Sequence, residues 1–82
     1  MPRFHFHTED GRYHRDADGL ELADHSAARA EAIKALGQLV EETSDQFWLD
    51  GMFRMTVTDD VGLTLIVLDL SATLSPVLQR PR

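Results

Sequence analysis

Residues 24–42 read DHSAARAEAIKALGQLVEE, and the spacing of their apolar side chains decides the fold. Ala28, Ala32, Ile33, Ala35, Leu36, Leu39 and Val40 recur at 3.6-residue intervals, while Glu31, Lys34, Gln38 and Glu41 fall on the opposite side. That pattern predicts an amphipathic helix from Ala27 to about Glu42. Asp24 or Ser26 is placed to accept from the free N–H groups of its first turn. Arg29 is the exception, projecting near the middle of the apolar stripe. Thr43-Ser44-Asp45 is expected to end the helix, and Phe47-Trp48-Leu49 to form an apolar knot in the loop beyond.

On either side of the helix the period changes from 3.6 to 2. Arg3–Thr8 alternates Phe4 and Phe6 with His5 and His7, which predicts a strand. Glu9-Asp10-Gly11 then turns the chain, because Asp-Gly readily adopts the positive φ values of a two-residue hairpin. Arg12–Arg15 is the expected return strand, and after Asp16-Ala17-Asp18-Gly19 comes a brief extended segment, Leu20–Leu22. Beyond the helix, Asp50-Gly51 is a turn signal. Phe53–Thr58 sets Phe53, Met55 and Val57 against Arg54, Thr56 and Thr58. Asp59-Asp60-Val61-Gly62 leads into Leu63–Leu70, which is apolar on both sides. The fold class is therefore α+β: an antiparallel sheet of about four strands in the order β-β-(β)-α-β-β, with one amphipathic helix on one face. Residues 1–71 form one domain and residues 72–82 a tail expected to be mobile, although Leu74, Val77 and Leu78 are able to dock.

Composition narrows the function. Eighty-two residues make one domain with little core to spare, and without cysteine neither a disulfide nor a thiolate metal site supports it. The absence of cysteine fits a reducing, cytoplasmic setting, and Met1-Pro2-Arg3 leads into a strand rather than a signal peptide. A net charge of −6 with eight scattered Lys and Arg residues argues against nucleic acid and anionic membranes as partners. The one local basic excess is Arg80 and Arg82. The run Leu63–Leu68 is too short to span a bilayer.

Several of these residues also stand in a familiar order. Pro2-Arg3-Phe4-His5-Phe6-His7, then Asp10-Gly11, Asp16, Gly19 and Glu21-Leu22, then Ala27-Ala28-Arg29-Ala30-Glu31-Ala32 resemble a family of short bacterial proteins classed as a domain of unknown function. The likeness runs through nearly the whole chain to Ser71 and implies a stand-alone domain with no catalytic residue assigned. It marks His7, Asp10, Gly11, Asp16, Gly19 and Arg29 as family positions. His5 departs from it, since another aromatic residue is usual there, and His14 belongs to none of its motifs. A looser likeness in topology links Gly19, Asp24 and the alanine-rich helix to HicB-type antitoxin domains.

Three groups of residues are candidate sites. With Asp10-Gly11 as a two-residue turn, His7 opposes His14 and His5 opposes Asp16, so His5, His7, His14 and Asp16 would share a face and a divalent metal. A register change of one residue turns His14 away, leaving an exposed polar face. Arg29 is expected to pair with Asp16, Asp18 or Glu21, ahead of its other reading as an anion clamp near the helix start. Ile66, Leu68 and Leu70 are expected to face away from the helix and to need a second cover, for which a homodimer is the simplest answer. Trp48 beside Phe47 is expected to close the core or to anchor a protein partner. Glu41-Glu42 and Asp59-Asp60 read as solvated turn and helix-end residues, and no nucleophile or phosphate-loop motif accompanies them. The sequence thus predicts a non-enzymatic binding or regulatory module without an organic cofactor, with metal binding on the first hairpin as the alternative.

Overall fold

The computed structural model describes residues 1–79. Its order is β1 (Arg3–Glu9), β2 (Tyr13–His14), β3 (Leu20–Glu21), α1 (His25–Glu42), α2 (Ser44–Asp50), β4 (Met52–Thr58), β5 (Thr64–Ser71) and α3 (Pro76–Gln79). The strands form one antiparallel sheet, β2-β1-β4-β5. β3 pairs with Arg3 and Phe4, while β2 pairs with Thr8 and Glu9 along the same edge of β1. Between them the edge of β1 has no strand partner. That gap positions the site described below.

Asp24 caps α1, its carboxylate accepting from the Ala27 N–H at 2.8 Å. Ala28 and Ala32 are fully buried, and their small side chains let the helix approach the sheet closely. The core consists of these alanines with Phe4, Phe47, Phe53, Met55 and Val57, flanked by Phe6, Leu36, Leu39, Ile66 and Leu68. Ile33, expected in the apolar stripe, is 60% exposed because it lies at the margin of the buried arc.

The expected loop after α1 is instead a second helix. Thr43 leaves helical geometry, and α2 then restarts the ladder with Phe47 N–H donating to the Thr43 carbonyl. Gly51, at φ 75°, ends it in the left-handed conformation with its N–H on the Phe47 carbonyl. The Asp50-Gly51 turn signal is thus a helix C-cap. Phe47 enters the core, whereas Trp48 stacks edge-on against it at 5.6 Å and stays 56% exposed.

β5 requires a correction. Val57 pairs with Ile66, Met55 with Leu68 and Phe53 with Leu70. Directly opposed residues share a face, so Ile66, Leu68 and Leu70 lie on the helix side rather than away from it. A bulge at Val57/Thr58 leaves Leu65 unpaired, and Leu65 too packs against the core. The outward side of β5 carries Val67 opposite Thr56 and Asp69 opposite Arg54. Ser75 accepts from the Val77 N–H at the start of α3, whose Val77 and Leu78 are exposed. Arg80 and Arg82 lie outside the described residues.

Candidate functional site

The face of the sheet turned away from the helices is polar. β1 contributes His5 and His7, and β4 contributes Thr58 and Thr56 opposite them. Asp16 fills the gap beside β1. Its carboxylate accepts from the Phe6 N–H at 3.0 Å, replacing the absent strand partner, and from the Gly19 N–H at 3.1 Å. Gly19 is required there: its φ is +70°, and a Cβ would come within 2.8 Å of the Phe4 carbonyl oxygen. Burial works against the Asp16 charge, but the two N–H groups and nearby His5 outweigh it and hold the carboxyl below its ordinary value.

The hydrogen bonds fix the state of His7. The Asp16 N–H donates to its Nδ1 at 3.0 Å, so Nδ1 carries no proton. Nε2 therefore bears the proton and donates to Thr58 Oγ1 at 3.0 Å. Burial lowers the pKa of this ring, and the neutral form is the one that fits. The pair is not a nucleophile and base: the nitrogen facing the hydroxyl holds a proton and has no lone pair to accept another. His5 is the reverse case. Its Nδ1 lies 2.9 Å from the Asp16 carbonyl oxygen and its Nε2 2.8 Å from the Asp60 carboxylate. Both partners are acceptors, so both nitrogens must donate, and the Asp60 hydrogen bond raises the pKa of His5. The two imidazoles are parallel within 5°, with centroids 6.1 Å apart, and Tyr13 continues the stack beyond His7.

Around this ladder lies an open cleft of about 490 Å³, lined by Arg15, Tyr13, the hydroxyls of Thr56, Thr58 and Thr64, and the Asp59–Gly62 turn. Asp59 stiffens that turn, one carboxylate oxygen accepting from the N–H groups of Val61 and Leu63.

Of the proposed metal set, His5, His7 and Asp16 come together and His14 does not. The first hairpin uses a three-residue loop, so His14 pairs with Thr8 and Tyr13 with Glu9. This places His14 on the other side, 3.5 Å from the Asp10 carboxylate. Of the three that do converge, His7 uses its Nδ1 lone pair on the Asp16 N–H, the Asp16 carboxylate accepts from the Phe6 and Gly19 N–H groups, and both His5 nitrogens face acceptors. Among the described residues no group of three or more His, Cys, Asp or Glu is arranged to hold a metal ion. The four-residue metal set expected on the first hairpin is therefore not assembled, because His14 lies on the opposite side.

Arg29 is likewise corrected. It is exposed, with no ion pair among the described residues, and borders a 310 Å³ groove with His25, Leu65 and Ile66. Arg3 does the joining expected of it, donating to the Asp18 carbonyl at 2.8 Å and to Glu21 at 3.2 Å. Sequence reasoning missed Asp60, Thr58, Tyr13 and Arg15. The alternation of β4 pointed Thr58 outward, but only the β1–β4 pairing brings it to His7.

A family model described as Domain of unknown function (DUF6894) matches residues 3–71, and the chain belongs to that family. Neither the curated proteins nor the solved structures gave a match. No helix among the described residues is long and apolar enough to cross a membrane.

Proposed function

We propose that this member of the DUF6894 family is a non-enzymatic binding or regulatory module that self-associates, a second copy adding its β5 antiparallel to this one's. The observation that carries the reading is the state of that edge. β5 is the last strand of the sheet and, at eight residues, the longest. Natural edges are blunted by proline, lysine, bulges or shortness; β5 has no proline or lysine, is long, and carries its one bulge at its start. Its one charge, Asp69, is occupied by Arg54 of the neighbouring strand at 2.6 Å. Val67 on its outward side is 48% exposed, and Leu63 just before it is exposed as well.

Area supports the same occupant. The chain exposes 6007 Å², about 1,000 Å² more than a compact monomer of its mass. A standard interface removes about 800 Å² per partner. Exposed apolar side chains on α3, together with Ile33, Trp48, Val67 and Leu70, contribute to that excess. Two identical antiparallel edges complement one another about a two-fold axis, which closes the assembly at a dimer. The same reading sets the protein in the cytoplasm, on its lack of cysteine.

Sedimentation at micromolar concentration tests it. The wild type is expected to run as a dimer, and Val67→Lys as a monomer with unchanged circular dichroism. Val67 is the proper site because Leu68, on the helix side, would report unfolding instead. A wild type that stays monomeric overturns the reading, as does a Val67→Lys variant that remains dimeric.

A further inference from the structure

The two loops that border the cleft are both tied to one side chain of β1. His5 reaches the Asp16 carbonyl with one nitrogen and the Asp60 carboxylate with the other. A carbonyl and a carboxylate only accept, and a neutral imidazole has a single N–H. The cationic ring therefore clasps both loops, while the neutral ring clasps one and turns a lone pair on the other. Which loop is let go follows from exposure. The Asp60 side chain is 65% exposed and is readily solvated once released. The Asp16 carbonyl belongs to a segment also held by the Phe6, Gly19 and His7 hydrogen bonds.

We propose that His5 is a protonation-dependent latch: charged, it fastens the Asp59–Gly62 turn to β1, and neutral, it releases that turn while keeping the Asp16 loop. The turn lines the cleft and immediately precedes β5, so release opens the wall of the cleft and frees the entry to the edge strand. The latch stands whether or not two chains associate.

The charged and titratable groups around the ring agree with this direction. Asp60 from the β4–β5 turn and Asp16 from the β2–β3 loop both favour the imidazolium. Asp59, on the same turn, also lines the cleft. Against them stand His7, stacked on the ring and neutral, and Arg15, which faces His7. The latch bond is fully present below the ordinary histidine value of 6.5 and is lost as the pH rises through the higher value of the folded state.

Nuclear magnetic resonance of the histidine rings and backbone amides across neutral pH tests the latch. The His5 ring is expected to titrate above 6.5 and His7 below it. The amides of Asp60, Val61 and Gly62 should shift with the His5 midpoint, and those of Asp16–Gly19 should not. Asp60→Asn, an exposed change that leaves the fold intact, should abolish the shift at the turn and lower the His5 midpoint. A turn that fails to follow His5, or that still follows it in Asp60→Asn, overturns the proposal. So does a His5 midpoint at or below 6.5.

Discussion

Met55 and Thr56 are neighbours on β4, yet they face environments held together by different physics. Met55 points toward the helices, is wholly buried and belongs to the apolar core. Thr56 points into a face where almost every bond is a directed hydrogen bond among His5, His7, Asp16, Thr58 and Asp60. The covered face derives its stability from area removed from water, which tolerates small displacements. The open face depends on which atom donates to which, so a single proton reorganises it. A chain this small has one core, and it spends its second face on a preorganised polar surface.

The largest expected effect lies on the covered face. Met55→Ala deletes a fully buried side chain beneath α1 and α2 and should cost about 2–5 kcal/mol, read by urea or thermal unfolding. A loss below about 1 kcal/mol would mean that the core collapses around the gap, and the contrast between the faces would narrow.

The next effect lies on the open face. Asp16→Asn leaves one oxygen to serve the N–H groups of Phe6 and Gly19 and should cost about 1–3 kcal/mol. The pH sign sharpens it. The folded-state pKa of Asp16 lies below the ordinary 3.8, so its contribution is present above that value and is lost as the pH falls through the folded value. Wild type and variant should therefore differ at neutral pH and converge in strong acid. A gap that persists in acid would assign the effect to shape rather than charge.

The same contrast explains what was legible in the sequence. The covered face was readable because burial imposes periodicity: the α1 stripe, the Asp24 cap and the alternation of β1 and β4 are repeated signals, and each repeat confirms the last. β5 was misread because a strand apolar on both sides has no alternation to say which side faces in, so only its pairing with β4 placed Ile66, Leu68 and Leu70. α2 was missed because seven residues make two turns, too few for a period to show. The open face depends on single residues. One extra residue in the Asp10–Arg12 loop moved His14 across the sheet, and Asp60 meets His5 from 55 residues away. His5, His7 and Asp16 were legible as a group because they are local, whereas Thr58 and Asp60 required the topology.

Arg29 belongs to neither face, and it carries the smallest expected effect. The sequence placed it in the apolar stripe and so predicted an ion pair whose loss would be costly. In the structure α1 is rotated so that Ala28 and Ala32 meet the sheet, and Arg29 stands at the margin in water, beside the groove of His25, Leu65 and Ile66. An exposed side chain without an ion-pair partner contributes little to folding, so Arg29→Ala should change stability by no more than about 0.5 kcal/mol. Thermal unfolding of the variant beside wild type checks this. A loss near 2 kcal/mol or more would mean that Arg29 acquires a partly buried partner in solution, about what removing one side of such a pair costs. Of its acidic candidates, Glu21 is engaged with Arg3 and Asp16 with the backbone of Phe6 and Gly19, whereas Arg3 takes only the backbone carbonyl of Asp18. If that partner comes from a second copy of the chain, the loss should fade on dilution below the dimer's dissociation constant. A loss independent of concentration would instead place the partner within the chain, with the Asp18 carboxylate the first candidate.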